Sequence, residues 1–308
     1  MGEKTMEINK SSCNGIGMPL VGFGTYQLSI EQAEFCVMEA IKTGFRHIDT
    51  AESYYNEEGV GKGLKASGIS RDEISVTTKL FPGYKKWGAP EKDYNRTIET
   101  LKNQLKKLQL DFVDLYLIHA PISELRLEQW NALVELKKMG LTKHIGVSNY
   151  KNDTIEEIVN NGLPKPEANQ VEFHPLYNRV ELTEFMNENS IAPIAYSSLA
   201  PLSSWRAEKG QGGDVLAGIK NECQLITKEI SAKLKVSEAR LLLRWGLQHG
   251  YSVLAKSNKP ERIQENFDLF NFEIPANDME RLNKFNQNKA IAWAASGINP
   301  MESAPPLK

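Results

Sequence analysis

The chain has 308 residues, 41% apolar and 25% charged, which suits a globular protein of one large or two medium domains. Its 37 lysines and arginines nearly balance 39 acidic residues, so a basic footprint for nucleic acid is excluded. Three scattered cysteines, Cys13, Cys36 and Cys223, form no Cys-x-x-Cys pair; a disulfide framework and a structural zinc are excluded, and a reducing compartment fits.

The N-terminal stretch lacks the apolar core of a secretory signal. Met6 stands where an N-myristoylation motif needs Ser or Thr. No apolar run reaches membrane-spanning length. The expected location is the cytoplasm.

Leu20–Tyr26 reads as a first strand, and Ala33, Val37, Ala40 and Ile41 behind it repeat at helical spacing. The pattern recurs. Apolar, β-rich runs at 46–51, 74–80, 112–120, 144–150, 168–175, 191–199 and 251–257 are each followed by an amphipathic segment. A further helical stretch, 237–250, precedes the last strand. Eight strand–helix units predict a parallel sheet closed into a (β/α)8 barrel, an α/β fold, in a single domain spanning 1–308. An open doubly wound sheet would also alternate, but its Gly-x-Gly-x-x-Gly turn is missing from "GFGTYQLS". Long loops are expected after strands three (82–93) and seven (200–214). Residues 1–17 read as a short extension, and 289–308 as an irregular tail over the barrel mouth.

In such a barrel, chemistry sits at the carboxyl ends of the strands. Those ends carry Asp49, Lys79, His119, Ser148-Asn149, Gln170 with Glu172, Tyr196 and Lys256-Ser257; Tyr54 follows Asp49 by five residues. Singly, each is more simply a cap or a satisfied core group. Together Asp49, Tyr54, Lys79 and His119 make sense as a proton donor to a carbonyl. A free phenol is a poor acid at neutral pH. A lysine beside it is expected to lower its pKa, a carboxylate to hold the lysine, and a neutral histidine to bond the substrate oxygen.

Two other patterns lead nowhere. "GVGKG" at 59–63 lacks the spacing and the Ser/Thr of a phosphate-binding P-loop. Glu172 and His174 have no third ligand at suitable spacing, so no metal is expected.

With these residues identified, the chain resembles the aldo-keto reductases. "GFRHIDTAESYYNEEGVGKGL", "VDLYLIHAP", "IGVSN", "NQVEFHP" and "LAKSNKPERIQENF" are similar to five ordered motifs of that family, over about Met18 to Phe270. The resemblance implies an NADPH-dependent reductase of aldehydes or ketones. Tyr54 would be the general acid, Lys79 its tuner, Asp49 the holder of Lys79, and His119 the group that places the carbonyl. Ser148, Asn149 and Gln170 would bond the nicotinamide carboxamide, and Tyr196 would stack on its ring. Gly24, Thr25 and Tyr26, with Ser197 and Leu199, would complete the cofactor cradle. Lys256, Ser257, Asn258, Lys259 and Arg262 would grip the adenosine 2′-phosphate, and Glu265 and Asn266 the adenine. Two cations and a hydroxyl suit a dianionic phosphate.

The chain departs from the family in places. Ala120 follows His119 where much of the family has Trp, which predicts a pocket widened there. Tyr26, Tyr54, Phe81, His119, Ala120 and Trp205 are the expected substrate contacts. "YSSLA" replaces "YSPLG" after strand seven, and Trp293 lies in a tail unlike the better-known members. The expected partner is a small carbonyl compound, with no nucleic acid or membrane, on a monomer with a dimer left open. Two other readings stay open. One is an idle, NADPH-sensing scaffold of this fold; the other is a phosphate-binding barrel isomerase that takes no nicotinamide.

Overall fold

A computed structural model of the chain describes residues 15–204, 216–292 and 299–308. Eight parallel strands, β1 to β8, pair in sequence order, and β8 closes on β1. They are β1 (Val21–Gly24), β2 (His47–Asp49), β3 (Ser75–Leu80), β4 (Val113–Ile118), β5 (Thr142–Ser148), β6 (Ala168–Glu172), β7 (Ala192–Tyr196) and β8 (Ser252–Ala255). The expected barrel is present.

Helices α1 (Ile30–Thr43) to α6 (Val180–Glu188) follow β1 to β6 in turn: α2 (Glu57–Ser67), α3 (Tyr94–Leu108), α4 (Arg126–Lys138) and α5 (Asn152–Asn160) lie between them. Two helices, α7 (Ala217–Leu234) and α8 (Glu238–Gln248), separate β7 from β8, as the sequence pattern predicts. α9 (Pro260–Phe267) follows β8. α10 (Ala276–Asn283) was not expected. Local chemistry sets several boundaries. Ser29 caps α1 reciprocally with Gln32, Asp93 and Ser237 accept from the first turns of α3 and α8, and Pro260 opens α9. No helix among the described residues is long and apolar enough to cross a membrane.

Strand alternation decides what faces the barrel axis. On β4, Tyr116 and Ile118 pack outward with the helices, while Leu115 and Leu117 join Ala168, Ala192 and Ile194 inside. Ile16 and Met18 pack with that inner cluster. The same phase carries upward to the polar ends. His119 is in step with Leu117, Gln170 with Ala168, Tyr196 with Ile194, and Asp49 with His47. Register completes the alignment: Asp49 pairs with Thr77, and Lys79 with Leu117.

The glycines of "GVGKG" have a packing purpose. A Cβ on Gly59 would fall 2.0 Å from the Ile30 carbonyl oxygen, one on Gly61 2.5 Å from that of Leu108, and one on Gly63 2.6 Å from that of Glu34. α2 therefore seats directly on its neighbours only because these positions carry no side chain.

Candidate active site

Lys79 is wholly buried, and its ammonium donates to Asp49 Oδ1 at 2.6 Å and to the Thr50 carbonyl at 2.8 Å. The third direction leads to the Tyr54 hydroxyl at 3.4 Å. Asp49 Oδ2 accepts from Gln170 Nε2 at 2.8 Å. The Tyr54 ring meets His119 edge-on, with centroids 5.7 Å apart, and Tyr26 at 5.0 Å. The structure brings the four expected groups into one cluster, and ties Gln170 to them.

Burial pulls Lys79 below the ordinary lysine range, and the charge and hydrogen bond of Asp49 oppose that pull. His119 is pushed down to about 3, first by burial and then by the Lys79 charge, so its imidazole is neutral at working pH. Ser53 Oγ lies 3.2 Å from His119 Nδ1. With Ser53 donating there, the ring proton sits on Nε2 and gives the site a second donor. Ser53 escaped the sequence reading; its only signal was adjacency to Tyr54.

The expectation for Tyr54 needs correction. Lysine was expected to lower the phenol's pKa. Instead burial, then the Asp49 charge, then Tyr26, push it well above the ordinary value. The main reason is burial, which disfavours the phenolate, and the carboxylate 2.6 Å from the ammonium offsets much of the lysine's field at the phenol.

A cavity of about 690 Å³ opens over this cluster, within the usual range for ligand sites. Gly24, Tyr26, Ser148, Asn149, Gln170, Tyr196, Ser197, Leu199 and Lys256 line it, with Asp49, Tyr54 and His119. Tyr196 donates to Asn149 Oδ1 at 2.7 Å, and Asn149 donates to the His119 carbonyl at 2.9 Å. Asn149 (φ 64) and Ser197 (φ 56) hold left-handed backbone, a strain typical of functional sites. A second cavity, of about 740 Å³, is lined by Ser257, Arg262, Glu265 and Asn266, and shares Leu199, Ser203 and Lys256 with the first. The two thus adjoin across these three residues, one over the polar cluster and the other at the start of α9.

Some expected contacts are elsewhere. Thr25 is buried and donates to the Asp49 carbonyl at 3.0 Å, so it braces β2 rather than facing the cavity. Asn258 and Lys259 are exposed before α9 and line neither cavity. Phe81 and Ala120 do not line the first cavity either. Ala120 is buried against Ile122 and Met301, with Phe81 and Tyr84 packed alongside. The widening expected at Ala120 is therefore absent, because Met301 from the C-terminal segment packs into that space and itself lines the cavity. Trp205 and Trp293 lie outside the described residues.

The C-terminal segment is fastened by buried charge. Glu302 accepts from Arg179 Nη1 at 2.6 Å and from the Tyr177 hydroxyl at 3.1 Å. Arg126 donates to the Pro305 carbonyl at 2.7 Å. Asn299 accepts from the Met301 amide at 3.0 Å and donates to the Tyr196 hydroxyl at 3.2 Å. Glu172 Oε1 accepts from the amides of Ile291 and Ala292 at 2.7 and 2.9 Å, and from His174 Nε2 at 2.9 Å. The Glu172–His174 pair thus serves to anchor chain. None of these tail contacts was read from sequence.

The eight-stranded barrel, with a buried lysine–carboxylate pair beside a phenol and an imidazole, is the arrangement that the resemblance implied. The profile of the Aldo/keto reductase family matches residues 15–287, and the chain belongs to that family. It is 38% identical over 290 residues to the glyoxal reductase of Bacillus subtilis (strain 168), covering 94% of this chain and 95% of that one. It is 35% identical over 280 residues to the methylglyoxal reductase DkgA of Escherichia coli (strain K12), covering 90% and 93%. Among solved structures, an aldo/keto reductase from Brucella melitensis shares 37% identity, with a TM-score of 0.75 over 88% of this chain and 97% of that one. A Bombyx mori aldo-keto reductase in complex with NADP shares 31% identity, with a TM-score of 0.79 over 90% and 92%.

Proposed function

We propose that this oxidoreductase reduces small aldehydes, with 2-oxoaldehydes such as methylglyoxal as its substrate class, using NADPH. The observation that carries the reading is the geometry around Lys79. One buried ammonium lies 2.6 Å from Asp49 and 3.4 Å from the Tyr54 hydroxyl, behind the cavity that Asp49 and Tyr54 line, and that cavity adjoins the one lined by Arg262.

The residues fit the cofactor. Ser198 lines the first cavity with a buried hydroxyl that has no hydrogen-bond partner among the described residues, a feature that suits a polar ligand. Lys256 and Arg262 supply cations at the far end, suited to a 2′-phosphate. When bound, NADPH supplies the hydride to the carbonyl carbon. Tyr54 supplies the proton to the carbonyl oxygen, and His119 Nε2 hydrogen-bonds that oxygen and orients it. An alkoxide is far more basic than a phenolate, so transfer from Tyr54 runs downhill even with its raised pKa. The phenolate left behind is stabilised by the Lys79 ammonium until it is reprotonated.

The substrate class rests on space and on relatives. The first cavity must hold the nicotinamide end and the substrate together, and Met301 closes the side that Ala120 would have opened. The glyoxal and methylglyoxal reductases among its relatives act on such compounds. The test is loss of NADPH absorbance with methylglyoxal, glyoxal and a bulky aromatic ketone. Turnover of the small dicarbonyls is expected. NADPH binding without turnover of any carbonyl would favour the idle scaffold, and no binding at all would sink the reading.

A further inference from the structure

The C-terminal segment enters the site at a second place besides Met301. Asn299 is 2% exposed. Its amide nitrogen lies 3.2 Å from the Tyr196 hydroxyl, 3.3 Å from Asn149 Oδ1 and 3.3 Å from Glu302 Oε1. Its Oδ1 accepts from the Met301 amide at 3.0 Å, which caps the short 3₁₀ turn Pro300–Glu302. One side chain therefore has two separable tasks. The oxygen caps a turn, and the nitrogen reaches across 103 and 150 residues of sequence to two groups of the cavity wall.

Those two wall groups are bonded to each other. Tyr196 donates to Asn149 Oδ1 at 2.7 Å, and Asn149 donates to the His119 carbonyl at 2.9 Å and to Ser148 Oγ at 3.1 Å. Asn149 does so on left-handed backbone (φ 64), a conformation that persists only when its surroundings over-determine it. The Tyr196 hydroxyl commits its proton to Asn149 and accepts from Asn299. With Oδ1 of Asn299 held by the Met301 amide, the nitrogen is the atom that faces the wall. Behind it, the buried Glu302 carboxylate accepts from the buried Arg179 at 2.6 Å. A buried ion pair adds little net stability, so what this one supplies is a fixed place for Glu302 and thereby for Asn299.

We infer that Asn299 is a positioning residue for the nicotinamide: its amide nitrogen ties the Tyr196 hydroxyl and the Asn149 side chain to the Arg179–Glu302 pair. This rests on the NADPH reading above, in which Tyr196 and Asn149 seat the nicotinamide. The C-terminal segment then sets two surfaces at once, the substrate wall through Met301 and the nicotinamide seat through Asn299. Without the bridge, Tyr196 and Asn149 each lose a contact that fixes them, and the nicotinamide is held less tightly while the adenosine end is untouched.

Asn299→Ser separates the two tasks. Serine caps as well as asparagine, so the turn at Met301 is kept, but its hydroxyl is too short to reach the cavity wall. Calorimetric titrations of the full chain are run with NADPH and with adenosine 2′,5′-bisphosphate, which lacks the nicotinamide. The proteins are the parent, N299S, Y196F and N299S/Y196F. A neutral hydrogen bond is equivalent to roughly three- to tenfold in affinity. N299S is expected to weaken NADPH by about that factor, with the bisphosphate affinity and the melting temperature close to the parent's. On the Y196F background N299S should cost less than on the parent, because the hydroxyl that Asn299 bonds is gone. NADPH affinity within about twofold of the parent in N299S would overturn the inference. So would equal losses for NADPH and the bisphosphate, because the effect would then not be specific to the nicotinamide. So would full additivity of N299S and Y196F, because Asn299 would then not act through Tyr196. A parent protein that binds no NADPH would instead overturn the functional reading itself.

Discussion

Replacing Lys79 by Met is the sharpest probe of the proposed chemistry, because one atom holds the cluster together. The ammonium lies 3.4 Å from the Tyr54 oxygen, which corresponds to about 5 kcal/mol of phenolate stabilisation at an effective dielectric of about 20. Asp49, 2.6 Å from the same ammonium, opposes the effect. If half survives, turnover falls on the order of 10²-fold, at about 1.4 kcal/mol per tenfold. Stability falls as well. Asp49 would keep Gln170 as its one side-chain partner among the described residues, and stranding a buried charge costs about 3–5 kcal/mol. The double variant K79M/D49N separates the two effects. It should regain much of the lost melting temperature, since an unpaired charge is gone, and it should not regain turnover. NADPH titration confirms that the site persists in each variant. If K79M, folded and saturated with cofactor, retains more than about a tenth of parental turnover, or if D49N restores the rate, the assigned role of Lys79 is wrong.

The pH profiles follow from the site's shifts. Tyr54 is held above its ordinary value, so reduction, which needs the protonated phenol, should show no loss from this group through neutral pH. Alcohol oxidation, which needs the phenolate, should rise with pH throughout. A reduction profile that falls between neutrality and mild alkali through a titration abolished in Tyr54→Phe would contradict this. His119 and His47 are pushed down to about 3 and about 4 by burial, so the unfolded chain binds their protons first as pH falls. Stability should therefore rise with pH across the window from about 3 to 6.5 and level off above it, and His119→Gln should flatten part of that slope. Arg262→Ala should weaken NADPH tenfold or more by loss of a charged hydrogen bond and leave NADH nearly unchanged; equal losses would refute a 2′-phosphate grip. Met301→Ala should raise kcat/KM for bulky ketones relative to methylglyoxal, and an unchanged ratio would show that Met301 does not bound the substrate space.

Much of the site was legible because a parallel strand has a fixed phase. Asp49, Lys79, His119, Gln170 and Tyr196 all terminate apolar runs, and period-two alternation aims each at the axis. What stayed hidden was pairing across long sequence distances. Ala120 alone suggests empty space, and only packing shows Met301 there. Nothing local in "HPLYNRVEL" announces that Arg179 will meet Glu302. The sign of the Tyr54 shift was misread for a related reason. A lysine near a phenol implies acidification, but burial of the phenol outweighs it, and Asp49 is closer to that lysine than the phenol is. α10 was missed because "PANDMERLN" is short and polar, with few apolar positions to reveal a period.

Met301 and its fastenings carry a consequence for biosynthesis. Glu302 meets Arg179 across 123 residues, and Pro305 meets Arg126 across 179. On the ribosome Glu302 and Pro305 emerge after every strand of the cylinder has been made. The growing polypeptide can close its sheet and bring Tyr54 and Lys79 together before Met301 reaches the cavity, so on the proposed chemistry a product lacking residues 299–308 would keep its proton donor and lose one wall of the substrate space.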